Sequence, residues 1–264
     1  MKKISITDIE GIEIGHAHDR NGVTGCSVVL CKEGATAGVN VKGGAPGTRE
    51  TDLLHPDKMI KKIHSIVLAG GSAYGLDASS GVMKYLEEKN IGFNVGVGMV
   101  PIVPSAILFD LSIGNPDIRP DEEMGYRACE NSKKKKVDIV QGNVGAGFGA
   151  TIGKYKGPEN AMKGGLGFAA YQVEDLKVGA MLVVNCLGDI VEPETGDIIA
   201  GALTEDQKNF VNTEKLILKE YKQKLNIFSG NTTLGIIVTN ANLNKVQANQ
   251  ISSLAHNGLA KTIS

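Results

Sequence analysis

Phe228-Ser229-Gly230-Asn231-Thr232-Thr233-Leu234-Gly235-Ile236-Ile237-Val238-Thr239 sets a polar, turn-prone tetrad directly before an apolar run of the kind that fills a buried strand. A hydroxyl residue at the start of such a strand is well held. Were the chain cut just before Thr232, that residue would offer its hydroxyl as nucleophile and its freed α-amine, with an ordinary pKa of about 7.7 to 8, as base. The same hydroxyl is placed to make the cut, since an Asn-Thr peptide rearranges when the Thr oxygen attacks the preceding carbonyl. The competing reading is plainer: by composition, Asn-Thr-Thr is a turn or a cap.

Working outward, residues 23–30 and 35–41 are β-rich and joined by Lys32-Glu33-Gly34, which predicts a hairpin. A short apolar run at 65–69, the turn Gly70-Gly71-Ser72 and roughly helical apolar spacing over 76–88 predict strand, glycine turn and helix. Further strands are expected at 106–113, 139–141, 167–173, 179–185 and 234–239, and helices at 122–131, 213–224 and 245–261, the last with Asn244 as N-cap. Strands outnumber helices, and the helices stand singly between groups of strands, which favours an α+β layered sandwich over a regular βαβ alternation. Neither a fixed-period repeat nor a clear interdomain linker is present. The most linker-like stretch, 193–226, reads as a surface excursion within one domain spanning 1–264.

Composition narrows the function. The chain has 264 residues, 42% hydrophobic and 22% charged, with a formal net charge of −1. That balance lacks the basic footprint of a nucleic-acid binder, and the run Lys133 to Lys136 reads as a solvated helix end or turn. Neither a membrane-length apolar stretch nor a signal peptide is seen, so a cytoplasmic protein with no membrane partner is expected. Glycine, 34 residues or about 13%, is well above its usual share of about 7% without collagen's period, so the glycines serve turns and close approaches. Cys26, Cys31, Cys129 and Cys186 are scattered and read as buried free thiols. His16 and His18 alternate on one face of an extended segment, but no third ligand accompanies them and no metal site is expected.

Gly145-Ala146-Gly147-Phe148-Gly149-Ala150 misses the dinucleotide register, Leu68 to Gly75 lacks a phosphate loop's Gly-Lys-Ser/Thr ending, and no GxSxG elbow occurs. Gly70, Gly71 and Ser72, opening a helix, have two readings: free backbone N–H groups that hold a carboxylate or carbonyl oxygen, or plain turn chemistry.

Several blocks in order are more specific than any one loop: Lys-Gly-Gly-Ala-Pro-Gly-Thr-Arg-Glu-Thr-Asp at 42–52, then 68–75, 100–110, 142–153, 162–167, Val183-Val184-Asn185, and Gly230-Asn231-Thr232-Thr233. Together they resemble the DmpA/β-peptidyl aminopeptidase family, the L-aminopeptidase/D-esterase group, over nearly the whole chain. The resemblance implies a four-layer αββα sandwich, akin to that of ornithine acetyltransferases, and self-cleavage between Asn231 and Thr232 into chains 1–231 and 232–264. Thr232 would be the N-terminal nucleophile and Asn185 an amide donor to the oxyanion, its alternative being a strand-ending cap; Gly70, Gly71 and Ser72 would line the same cleft. It implies an aminopeptidase, amidase or esterase that acts on the N-terminal residues of short peptides, amides or esters, without metal or organic cofactor, as a homo-oligomer. An acyltransferase is a close variant.

The sequence departs from the family in two places. Family members continue beyond the helix at 245–261 with another strand, whereas this sequence ends at Ser264, which leads one to expect an open sheet edge and a missing catalytic partner. The alternative function is therefore a catalytically impaired relative serving as a binding or assembly protein. Phe148 and Phe168 stand in glycine-rich blocks where small or hydroxyl residues are expected, and their bulk is expected to narrow the pocket.

Overall fold

The structure, a computed structural model, describes residues 1–133, 140–221 and 230–264. The strands that build its two main sheets are β1 (Lys2–Ile4), β2 (Glu13–Asp19), β3 (Thr24–Ala35), β4 (Thr48–Arg49), β5 (Ile63–Ala69), β6 (Ser105–Ile107), β7 (Gly165–Val173), β8 (Leu176–Asn185) and β9 (Thr232–Thr239). The helices are α1 (Ala78–Glu87), α2 (Glu122–Asn131), α3 (Thr213–Glu220) and α4 (Lys245–Thr262). A five-stranded sheet runs β2-β3-β5-β6-β4 and a four-stranded sheet runs β1-β7-β8-β9. Every pairing in them is antiparallel except β5 with β6.

The period of two along each strand sorts the core into layers. Val29 of β3 and Leu68 of β5 face Leu166, Ala170, Met181, Val183 and Ile236 of the other sheet in one buried cluster. Their neighbours Val28, Leu30, Val67 and Ala69 point the opposite way, onto Val82, Tyr85 and Leu86 of α1 and Ala128 of α2. The α+β sandwich is thus a helical layer on a five-stranded sheet stacked on a four-stranded one. α4 follows β9 on the surface. A capping box of Asn244 and Gln247 starts it, Lys245 Nζ donates to the carbonyls of Leu53, Lys58 and Ile60, and the chain closes with Ser264 paired to Asp189.

The hairpin expected from Lys32-Glu33-Gly34 is corrected. β3 runs unbroken through those residues, pairing with β2 over Thr24 to Leu30 and with β5 from Cys26, and its register with β5 slips between Leu30 and Ala35. Gly34, at φ +79°, supplies the irregularity, and residues 36–41 form no strand. The real hairpin is β2–β3, closed by Asp19 accepting from the N–H groups of Asn21 and Gly22. Burying both faces of Val28 to Leu30 between two neighbours outweighs a local turn signal.

The strand expected at 106–113 is shorter, ending at Ile107, and the helix expected from Leu76 begins at Ala78 behind a 3₁₀ segment, Ser72–Asp77. Of the strand expected at 139–141, residue 139 lies outside the described residues and 140–141 are not strand; Gly142 makes an isolated bridge to Leu166. Residues 222–224 of the expected third helix, 134–136 of the basic run and Phe228 and Ser229 also lie outside the described residues. All four cysteines are free and buried, and no described helix is long and apolar enough to cross a membrane.

Candidate active site

β8 ends at Asn185 and β9 begins at Thr232, and the two residues are register partners. In β8, Gly179, Met181, Val183 and Asn185 are buried and alternate with half-buried Ala180, Leu182 and Val184. Asn185 therefore faces the opposite sheet. Thr232, two and four residues from the core-facing Leu234 and Ile236, shares that face. Sequence and fold together put a half-buried threonine and a fully buried asparagine side by side at one end of the space between the sheets.

The Asn185 side chain is saturated. Its Oδ1 accepts from Thr151 N–H (3.0 Å), Thr151 Oγ1 (3.3 Å) and Lys154 Nζ (2.8 Å), while its Nδ2 donates to Phe109 O (2.9 Å) and Gly230 O (3.0 Å). Thr151 thereby fixes which end of the amide is the donor. Lys154 completes the arrangement: its Nζ also donates to Asn185 O (3.0 Å) and to the same Gly230 carbonyl (2.9 Å). Three donors meeting three oxygens is the pattern of an ammonium. No carboxylate is among the groups that shift it; burial pulls its pKa down from 10.5 to about 8, and the neighbouring Cys186 acts weakly the other way. A half-buried lysine with no counter-ion among the described residues is a functional signal. The sequence reading missed it, because Gly153-Lys154-Tyr155-Lys156 looks like a surface turn.

Gly70, Gly71 and Ser72 are joined to this site through one run of chain. Ser72 N–H donates to Leu108 O (3.0 Å), Gly71 N–H to Asp110 Oδ1 (2.6 Å), and between these two residues Phe109 O takes the Asn185 amide. Gly70 N–H donates to Gly25 O (2.9 Å). All three backbone donors of the turn are thus used within the protein, and its observed part is to brace residues 108–110. Asp110 is 2% exposed and also accepts from Thr24 Oγ1 (2.7 Å); burial raises its carboxyl pKa against those bonds. Asn231, between Gly230 and Thr232, is exposed.

Phe148 stacks on His18, ring centroids 4.4 Å apart, and Phe168 packs into the inter-sheet core. His16 Nδ1 meets Ser27 Oγ at 2.8 Å, and burial pushes its pKa down to about 4.

The model of peptidase family S58 matches residues 5–264. An uncharacterized aminopeptidase of Mycobacterium leprae is 39% identical, the match covering 98% of this chain and 74% of that protein. A 6-aminohexanoate-oligomer endohydrolase of a Kocuria species is 30% identical over 97% of this chain and 69% of its own. Among solved structures, the L-aminopeptidase D-Ala-esterase/amidase of Ochrobactrum anthropi, described as a variant of the Ntn hydrolase fold, superposes with a TM-score of 0.70 at 15% identity, covering 98% of this chain and 69% of that one. A β-aminopeptidase of a Burkholderia species gives 0.64 at 19% identity, covering 98% and 68%.

Proposed function

The chain belongs to peptidase family S58 and is a hydrolase, and from that premise we propose that it splits itself between Asn231 and Thr232 and then cleaves peptides or related amides and esters through an acyl-enzyme on Thr232. In self-cleavage, Thr232 Oγ attacks the Asn231 carbonyl carbon, the C–N bond breaks, and the nitrogen keeps the hydroxyl proton as a free amine. Water hydrolyses the resulting ester, leaving Asn231 as a carboxylate and Thr232 with its hydroxyl restored. In turnover, the new amine takes the Oγ proton as Oγ attacks a substrate carbonyl and passes it to the leaving amine or alcohol; water then resolves the ester. Once the chain end at Asn231 has left the site and taken the Gly230 carbonyl with it, the Asn185 amide and the Lys154 ammonium each have a donor for charge that develops on oxygen, such a donor contributing roughly 3 kcal/mol in acyl-transfer sites.

The observation that carries this reading is the convergence of Lys154 Nζ and Asn185 Nδ2 on the Gly230 carbonyl, one residue before the proposed cut, with Thr232 in register beside Asn185. Intact mass under denaturing conditions tests it, with wild type beside Thr232→Ala. Two species in the wild type, of 231 and 33 residues, and one in the variant are expected. A single uncut chain in both would refute it.

A further inference from the structure

Arg49 stands in β4 at the edge of the five-stranded sheet, in register with Ser105 of β6, which in turn pairs with Val67 of β5. Register partners point to one side of a sheet, and Val67 belongs to the cluster packed on α1, so all three side chains lie on the helical side. The half-buried Arg49 guanidinium reaches α1 itself: Nη1 donates to Ser80 Oγ (3.1 Å) and Nη2 meets Met83 Sδ (3.0 Å). A thioether is a weak acceptor for a group that is always charged. No carboxylate pairs with Arg49 among the described residues, and its neighbour Glu50 turns Oε2 to the N–H of Val103 (2.9 Å).

Two hydroxyls beside this cation are orphaned. Ser105 is 3% exposed and Ser79 fully buried, and neither Oγ has a hydrogen-bond partner among the described residues. Ser105 is the register partner of Arg49, and Ser79 stands one helical turn before Met83, the residue that Arg49 touches. A buried hydroxyl left unpaired is costly, and so is a half-buried charge without a partner. What this corner holds in surplus is donors and positive charge, and an oxygen-bearing anion satisfies both: carboxylates and phosphates take a guanidinium's N–H groups two at a time. We infer that Arg49, Ser79 and Ser105 form a binding site for a small oxyanion, a carboxylate or a phosphate group, apart from Thr232. The site has a mechanical link to the proposed cut. The chain of β6 runs on from Ser105 through Ile107, whose N–H donates to Gly47 O (3.0 Å), to Phe109, and Gly230 lies so close to Phe109 that a Cβ there would strike the ring.

The test is calorimetric melting of the full chain carrying Thr232→Ala, which is a single polypeptide whether or not the wild type cleaves itself. Sodium phosphate and sodium acetate each replace chloride, up to about 50 mM at constant ionic strength. One of them is expected to raise Tm saturably by about 3 °C or more, and Arg49→Met is expected to abolish the rise. A rise with phosphate alone assigns a phosphate group; a rise with acetate assigns a carboxylate. Ser105→Ala removes an orphaned hydroxyl, so in chloride it should melt at or above its parent, while half-saturation by the effective anion moves up by about 5-fold. It keeps the test decisive if Arg49→Met fails to fold. No rise with either anion overturns the site, as does an equal rise in Arg49→Met or an unmoved half-saturation in Ser105→Ala.

Discussion

Lys154→Met should separate function from stability. The folded protein holds this ammonium at a pKa of about 8 against 10.5 in the open chain, a difference of 2.5 units that amounts to about 3 kcal/mol of destabilisation at pH 7. Methionine has similar length, carries no charge to desolvate, and leaves two of the three acceptors with another donor: Asn185 Oδ1 keeps Thr151 N–H, and Gly230 O keeps Asn185 Nδ2. The variant is therefore expected to be as stable as its parent or up to about 3 kcal/mol more so, while kcat/KM of the processed enzyme falls by about 100-fold through loss of one charged donor. Urea unfolding compares them best in a Thr232→Ala background, where both remain single chains. The sign with pH follows from the lowered folded pKa: between about 8 and 10.5 the unfolded lysine still binds a proton that the folded one has released. Stability of the parent should climb through that window, and the Met variant should lack the climb. A loss of more than about 1 kcal/mol at pH 7, with no difference in pH slope, would refute the argument that Lys154 is held at a cost.

The processed enzyme needs the Thr232 amine neutral, with an ordinary pKa of about 7.7 to 8, and Lys154 charged, so kcat/KM should trace a narrow bell centred near pH 8 whose two limbs belong to the coupled pair. Rates that stay level from pH 8 to 10 would remove Lys154 from the chemistry. Gly70→Ala would drive a methyl group into the Asp110 carboxylate and the Thr24 hydroxyl and break the clamp on Gly71. It should cost about 3 kcal/mol and lower Tm by roughly 6 to 12 °C in calorimetry, and a shift under 2 °C would show that the brace yields.

Local signals were legible where the physics is local. α2 begins where Asp121 accepts from Met124 N–H, and α4 begins at the Asn244–Gln247 box, so both expected starts hold. Pairing is a long-range matter, and the Lys32-Glu33-Gly34 turn signal proved to be an irregularity within β3. Thr232 and Asn185 stood out through resemblance, but their register is a property of the assembled sheet. Lys154 was illegible because what distinguishes it is its company: Asn185 lies 31 residues away and Gly230 lies 76 away. A lysine in a short polar turn acquires meaning only when folding removes its water.

The pairing of β9 with β8 has an outcome for the life of the molecule. All eight residues of β9, from Thr232 to Thr239, are matched to β8, and α4 beyond is pinned by Lys245 and by the Ser264–Asp189 bridge. A cut before Thr232 would leave the 33-residue piece zipped in place, so the architecture outlasts the covalent continuity that produced it. Folding the uncut chain is a one-molecule event that succeeds at any dilution. Reassembling separated pieces requires two molecules to meet, so recovery after heating should depend on concentration for the split protein and not for Thr232→Ala. The working form would then persist by the slowness with which a paired strand lets go, not by an equilibrium to which it can return.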